Sequence, residues 1–98
     1  MALEIVWNKE ALDNIAKAIE WISQESIVQA ENVEKAILDK VGPLTTHPVR
    51  HPPDKYKKNN TGEYRAFETH SYRVSYRHTK TTVRILRIRH VKQMPKHY

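Results

Sequence analysis

The last third of the sequence alternates cationic with apolar side chains, a pattern that could bind a polyanion. In residues 72–77, Arg73, Ser75 and Arg77 alternate with Tyr72, Val74 and Tyr76. Because successive residues of a strand point to opposite faces, this spacing predicts one strongly basic face. A later run opposes Arg87 and Arg89 to Leu86 and Ile88. Nucleic acid is the commonest polyanion for such a face, and the candidate binding residues are Arg65, Arg73, Arg77, Arg87 and Arg89.

The composition predicts one small basic domain. The 98 residues, taken as residues 1–98 of a single unit, carry a net charge of +6, which favours phosphate-rich partners. Many small soluble proteins are also basic, so the charge alone does not decide for nucleic acid. Cysteine is absent, which excludes disulfides and thiolate chemistry.

Further classes are excluded by what the sequence lacks. The six histidines are scattered, and no carboxylates gather around them at ligand spacing, so neither a metal nor another cofactor is predicted. There is no signal-peptide core and no apolar run near the ~20 residues that a membrane span needs. We therefore expect a cytoplasmic protein.

The first half of the chain predicts a strand followed by a helical hairpin. Residues 3–7 are rich in β-branched and aromatic side chains. Asn8 is a candidate N-cap for an amphipathic helix whose apolar positions are Leu12, Ile15, Ala16, Ile19 and Ile22. Ser26 with Gln29 has the spacing of a capping box, and Gly42-Pro43 marks the end of this second helix. The short link between the helices predicts an antiparallel pair.

The second half predicts a connector and three strands. Residues 43–62 hold four of the five prolines and are expected to be a solvated connector held by Leu44 and Val49. Strands are predicted near 63–70, 72–78 and 82–91, with tight reversals at His70-Ser71 and at residues 79–81. The order β-α-α-β-β-β indicates an α+β fold in which the hairpin covers one face of an antiparallel sheet. The other face would then be open and carry the arginines.

This order and two strand motifs resemble the RelE/ParE superfamily, toxins of bacterial type II toxin–antitoxin (plasmid stabilisation) systems. Tyr72–Tyr76 is similar to the family's YR-aliphatic-x-Y strand, and Val83–His90 to its closing strand. The tail Gln93–Tyr98 also fits, because several members end in a basic segment with an aromatic residue. The resemblance covers nearly the whole chain and implies a cognate antitoxin with an acidic segment that folds along the basic sheet or across the helical hairpin.

Within this superfamily, RelE-like members cut mRNA at the ribosome, whereas ParE-like members inhibit DNA gyrase and cut nothing. Attack by the 2′-hydroxyl group of RNA needs a base, an acid and cations around the phosphate. The resemblance implies that Arg73 holds the phosphate and that Lys92, His90 or Tyr98 supplies the remaining chemistry. Glu68 and His70 are second-tier candidates for the base. On this reading the protein is a metal-independent endoribonuclease that inhibits translation.

The alternatives stay open at the level of sequence. His90 shares alternation parity with Ile88, which directs it toward the helices unless a bulge intervenes. Tyr98 needs a docking contact to be ordered, and Lys92 is a solvated charge unless the tail folds back. RelE-like enzymes usually carry lysines on the first terminal strand, whereas Arg65 is the sole cation there, and this weakens the nuclease interpretation. Against gyrase inhibition, the cluster of Arg73, Arg87, Arg89, His90 and Lys92 is a more elaborate basic site than a non-enzymatic inhibitor needs. A family member that only binds antitoxin is the third reading.

Overall fold

Two helices pack on one face of a four-stranded sheet in the computed structural model, which describes residues 2–93 and residue 98. The elements follow the predicted order. They are β1 (Glu4–Trp7), α1 (Lys9–Ser23), α2 (Ile27–Val41), a 3₁₀ turn (Gly42–Thr45), β2 (Tyr64–Thr69), β3 (Tyr72–His78) and β4 (Thr82–His90). The predicted α+β architecture is confirmed. None of the helices in this part of the chain is long and apolar enough to cross a membrane.

The sheet is mixed, with the strand order β1-β4-β3-β2. Strands β2, β3 and β4 form the predicted antiparallel meander. Strand β1 instead pairs with β4 in the parallel direction, from Glu4 opposite Thr82 to Trp7 opposite Ile85. No tight turn joins these two strands, so local sequence does not fix their relative direction.

Capping contacts mark the starts of the two helices, but only one of the two predicted N-caps forms. The Ser26 hydroxyl accepts a hydrogen bond from the Gln29 main-chain N–H at 3.1 Å, as the sequence predicts. Asn8 makes no side-chain cap; its Oδ1 accepts from Arg84 at 2.9 Å and so ties the start of α1 to β4. Gly42 keeps right-handed helical angles, and the chain continues into the 3₁₀ turn. The glycine therefore ends α2 without the left-handed cap that is common at this position.

The hydrophobic core lies between the hairpin and the face of the sheet that we call the helix side. Its fully buried members include Ile37, Leu44, Val74, Tyr76, Val83 and Ile85. The Tyr76 hydroxyl donates to the Pro48 carbonyl at 2.7 Å, and burial raises the pKa of Tyr76 to about 12. Tyr76 therefore lies in the core as a neutral phenol whose hydroxyl group is hydrogen-bonded.

A bulge in β4 decides which side chains share a face. Ser75 pairs with Arg87 while Tyr76 pairs with Ile85, so Leu86 is the extra residue. Ile85 and Ile88 are consequently both buried on the helix side, one before and one after the bulge. Arg87 and Arg89 therefore point to the opposite face. His90 lies beyond the bulge and in phase with Ile88, so the bulge does not turn it toward the arginines.

The opposite face of the sheet is partly covered, where the sequence predicts an open one. The segment between the 3₁₀ turn and β2, residues 46–63, passes around the edge of β2, and we call this segment the strap. Pro48 and His51 contact the helix side, whereas the part from Asp54 onward lies on the arginine side. The Asp54 main-chain N–H donates to the Tyr64 carbonyl at 2.8 Å, which fastens the strap to the edge of β2. Ala66 and Ser75 are buried beneath it, whereas the predicted anchor Val49 is exposed. The part of the strap from Asp54 onward thus forms a second layer on the arginine side.

His51 holds the strap through a neutral ring that contacts the core. Its ring lies 4.9 Å from that of Phe67 and 6.3 Å from that of Tyr76, measured between centroids. Its Nε2 is buried and has no hydrogen-bond partner within the described residues. Burial, followed by the charges of Arg50 and Lys40, lowers the pKa of His51.

We expect the free energy of unfolding to fall as the pH drops below about 6.5. The reason is that His51 then binds a proton in the unfolded chain but stays neutral in the folded one. One such proton gives a slope of at most about 1.4 kcal/mol per pH unit. Urea denaturation between about pH 5 and pH 8 measures it. His51→Phe should flatten the slope, whereas His47→Gln, in an exposed part of the strap, should leave it unchanged. An identical slope in wild type and His51→Phe would contradict this assignment.

Candidate functional site

A buried carboxylate from the strap stands at the centre of the arginine side. The Asp54 side chain is 0% exposed. Its Oδ1 accepts from Arg73 Nη2 at 2.9 Å and from the Tyr56 main-chain N–H at 3.1 Å. Its Oδ2 accepts from the Tyr98 hydroxyl at 2.5 Å. Residues distant in sequence therefore converge on one carboxyl group.

Arg73, the leading phosphate ligand of the sequence analysis, is held between two carboxylates. Besides Asp54 it contacts Glu68 on β2, with 3.0 Å between Nη1 and Oε2. Its guanidinium lies 4.9 Å from the Tyr56 ring centroid, and its side chain is only 17% exposed. Burial works against the charged form, but the two carboxylates outweigh it and raise the pKa of Arg73. The charge of Arg73 is thus compensated inside the protein.

The ionisation states of Asp54 and Tyr98 follow from the same contacts. Burial alone would raise the pKa of Asp54, but hydrogen bonds from Tyr98, Arg73 and the Tyr56 main chain together lower it. For Tyr98, burial and the bond to the Asp54 carboxylate both raise the pKa of the phenol. Asp54 is therefore ionised at neutral pH, and Tyr98 remains a proton donor that is committed to it.

Tyr98 is docked on the sheet by both its main chain and its ring. Its N–H donates to the Tyr56 carbonyl at 3.0 Å, and its main-chain oxygen accepts from the Lys58 N–H at 2.5 Å. The guanidinium of Arg87 lies 4.2 Å from its ring centroid, and the Tyr64 ring meets it edge to face at 6.1 Å. These contacts provide the docking that Tyr98 needs to be ordered. The remainder of the predicted tail, residues 94–97, lies outside the described residues.

The other predicted nucleic-acid ligands are divided between the two faces. Arg77 lies on the arginine side and pairs with Glu63, 2.9 Å apart. Arg65 is on the helix side, opposite Tyr76 in register, where it donates to the carbonyls of Gly62 and His51. Arg65 thus holds the strap and does not join the basic face. Arg87 and Arg89 lie on the arginine side, as predicted.

Two of the acid–base candidates, Glu68 and His90, line one small cleft on the arginine side together with Arg73, Arg87 and Arg89. The His90 ring packs edge to face on Tyr72 on the helix side, with centroids 5.2 Å apart, and its Nδ1 accepts from the Lys92 main-chain N–H. Lys92 itself is exposed in the turn after β4. His70 sits in the exposed β2–β3 turn beside the Thr69 hydroxyl. The His90 ring is therefore directed to the helix side, although the residue borders the cleft.

The sequence analysis missed Asp54 and Tyr56, which complete the site. Both lie in the strap, which carries no periodic pattern that would indicate a burial position. The one available signal is Pro52-Pro53-Asp54, where an acidic residue interrupts an otherwise basic segment. Among the described residues, no three His, Asp or Glu side chains come together as a metal ion would require.

Comparison with known proteins identifies the class of this small α+β domain. The family model of the ParE toxin of the type II toxin–antitoxin system parDE matches residues 5–95. The chain therefore belongs to the ParE toxin family, and the resemblance to the RelE/ParE superfamily is confirmed. No curated protein sequence matches the chain significantly.

A solved structure has the same fold. It is a chain from a chromosomal ParDE toxin–antitoxin system of P. aeruginosa, similar with a TM-score of 0.70 at 16% sequence identity. The match covers 93% of this chain and 98% of that one. At this level of identity the likeness supports the shared fold and carries no residue roles.

Proposed function

We propose that this ParE-family toxin inhibits DNA gyrase by binding it as a protein, and that it does not cut RNA. The observation that carries the proposal is the neutralisation of Arg73, whose side chain is 17% exposed, by Asp54 and Glu68. An arginine that already holds two carboxylates has little charge left for a scissile phosphate. Inhibition by protein contact needs no such phosphate ligand.

The positions of the acid–base candidates support the same proposal. Cleavage by the 2′-hydroxyl requires a base and an acid within hydrogen-bond reach of one phosphodiester. The Tyr98 hydroxyl is committed to Asp54, and His90 packs on Tyr72 across the sheet. Glu68 and His90 both line the cleft on the arginine side, but Glu68 is already bound to Arg73 and the His90 ring packs on Tyr72.

We also propose that a cognate antitoxin neutralises the protein. Membership of a toxin–antitoxin family and the net charge of +6 support an acidic partner. The helical hairpin offers it an apolar surface, since Trp21, Ile27 and Val28 near its tip are each about two-thirds exposed. Exposed aromatic and aliphatic side chains in such a cluster are typical of protein interfaces.

Controlled expression in bacteria, followed by assays with purified gyrase, tests the proposal. We expect induction of the SOS response and intact transcripts, because inhibition of gyrase leads to DNA damage and leaves mRNA uncut. The purified toxin should inhibit supercoiling at least tenfold at saturation. Co-expression of the adjacent open reading frame should relieve this inhibition.

Two outcomes would overturn the proposal. Cut transcripts with unaffected gyrase would assign the protein to the ribonuclease branch. A chain that binds the antitoxin but affects neither gyrase nor mRNA would be an inactive family member.

A further inference from the structure

Positive charge is concentrated in the second half of the chain. Residues 1–45 carry eight carboxylates and four lysines. Residues 46–98, which include the strap and the antiparallel strands, carry three carboxylates and thirteen lysines and arginines. The overall charge of +6 thus divides into −4 in the half with the hairpin and +10 in the other half. A partner of the second half therefore meets a charge well above the overall value.

The three carboxylates of the basic half are all engaged by two arginines. Asp54 and Glu68 bind Arg73, and Glu63 binds Arg77. Within the described part of the chain, none of these three carboxylates forms an ion pair with a lysine. The surplus of positive charge is therefore carried by the lysines of the strap and by arginines other than these two.

Three tyrosine rings hold cations of the strap against cations of the sheet. The ring of Tyr56 contacts Lys55 and Arg73, that of Tyr64 contacts Lys57 and Arg77, and that of Tyr98 contacts Lys57 and Arg87. In each case one cation belongs to the strap and the other to β3 or β4. The rings therefore fix cations of two separate segments on the same side of the molecule. We call the exposed part of this arrangement the cation surface; it consists of Lys55, Lys57, Lys58, Arg77 and Arg87.

Lys57 lies close to two arginines of the cation surface. It shares the Tyr64 ring with Arg77 and the Tyr98 ring with Arg87, so each guanidinium is within about 10 Å of its ammonium, the sum of the two distances to the shared ring. This separation is comparable to the Debye length of ~8 Å at physiological salt, so the charges still repel each other. Like charges held this close favour a polyanion that lies across all of them.

The tyrosine rings beside the cation surface are not available for base stacking, because cations already contact them. Proteins that bind single-stranded nucleic acid stack its bases on free aromatic rings. In a duplex the bases are already stacked, and the phosphate backbone is what the outside presents to lysine and arginine. A surface that offers charges without free rings therefore fits a duplex better than a single strand.

We propose that the cation surface binds the phosphate backbone of duplex DNA without reading the base sequence. Arg73 is not part of this surface, since Asp54 and Glu68 compensate its charge. The strap, which the sequence analysis expected to be only a solvated connector, supplies three of the five cations. This binding goes beyond contact with gyrase and does not depend on it. It would place the toxin on the substrate of the enzyme that we propose it inhibits.

Fluorescence anisotropy of a short labelled DNA duplex, titrated with the purified full chain at several salt concentrations, tests the proposal. We expect the logarithm of the binding constant to fall linearly with the logarithm of the salt concentration. The slope should be about −4, since roughly five phosphate contacts contribute about 0.9 each. Two duplexes of unrelated sequence should bind within about twofold of each other, because phosphate contacts carry no sequence information.

A double substitution in the strap tests the residues. Lys55→Gln combined with Lys58→Gln should weaken binding to the duplex at least tenfold and make the slope less negative by about two. Both side chains are exposed, so the variant should keep its fold and its Tm. Lys9→Gln combined with Lys35→Gln is the matched control, because it removes the same charge from the helices, where both lysines pair with aspartates. The control should bind the duplex as wild type does.

Further arms of the titration can overturn the proposal. Equal weakening in the two double variants would mean that only net charge matters and that the strap has no special role. A single strand of the same length that binds more tightly than the duplex would indicate base stacking. Polyglutamate that binds more tightly than the duplex would assign the surface to an acidic protein partner. None of these measurements contains gyrase, so their failure is separate from failure of the gyrase proposal, which the supercoiling assay tests.

Discussion

Replacement of Arg73 by alanine should lower the free energy of unfolding by about 3–5 kcal/mol, because it leaves the Asp54 carboxylate buried without its cation. The Asp54 side chain is 0% exposed, so water cannot replace the lost partner. Equilibrium denaturation in urea measures this loss directly. The Tyr56 ring should also be held less firmly in this variant, because it loses its contact with the Arg73 guanidinium.

Arg77→Ala is the matched control for this prediction. Arg77 lies two residues further along β3, points to the same face and pairs with Glu63. Both side chains of that pair are almost half exposed, at 44% and 46%, so its loss should cost less than about 1 kcal/mol. Equal stabilities for Arg73→Ala and Arg77→Ala would show that the buried pair is not what holds the strap.

This expectation changes how toxicity data on Arg73 should be interpreted. Loss of toxicity in Arg73→Ala would by itself suggest a catalytic residue, because the resemblance to RelE-like toxins implies a phosphate ligand at Arg73. The structure gives Arg73 a role in stability, so toxicity must be compared at equal folded fractions. A variant that is folded and fully toxic would exclude Arg73 from the chemistry.

Asp54→Ala should detach the strap, with a loss of about 3 kcal/mol in the free energy of unfolding. The substitution removes the acceptor of three hydrogen bonds, from Arg73, Tyr56 and Tyr98. Limited trypsin digestion checks the local effect, because the strap carries cleavage sites from Arg50 to Lys58. We expect cleavage in the strap at least tenfold faster than in wild type.

The pH dependence of Asp54→Ala gives an independent check. The pKa of Asp54 is lowered in the folded protein, so its contribution is complete above the unfolded value of about 3.9 and is lost as the pH falls through the lower folded value. The stability difference between wild type and Asp54→Ala should therefore shrink in acid. Asp39→Ala, which removes an exposed partner of Lys35, is the control and should have little effect at any pH. A difference that stays constant down to about pH 2 would contradict an ionised Asp54.

Much of the fold could be predicted because its signals are local. The Ser26 cap depends on residues three apart, and the alternation in β3 is fixed by the pleat of the strand itself. The β2–β3 reversal likewise lies within four residues, where His70 and Ser71 both take positive φ angles, as a two-residue hairpin turn requires. In each case the physical cause acts between neighbours in the chain.

The site depended on contacts that no local pattern encodes. Asp54 meets Arg73 across 19 residues and Tyr98 across 44, and the strap that carries it has neither helical nor strand periodicity. Because the strap gives no such pattern, the arginines were assigned to an open face, although the strap covers part of it. The bulge at Leu86, by contrast, has a local signal, since the apolar positions shift from Val83 and Ile85 to Leu86 and Ile88.

The sequence by itself determined the element order, the hairpin and the alternation that collects arginines on one side of the sheet. It also determined the family, because these features are carried by runs of adjacent residues. Only the tertiary structure decided which charges remain available, since Asp54 and Glu68 compensate Arg73 while Arg89 faces the cleft. The reason is physical: the pattern of a strand fixes the direction of a side chain, but its partner is chosen by how distant segments pack.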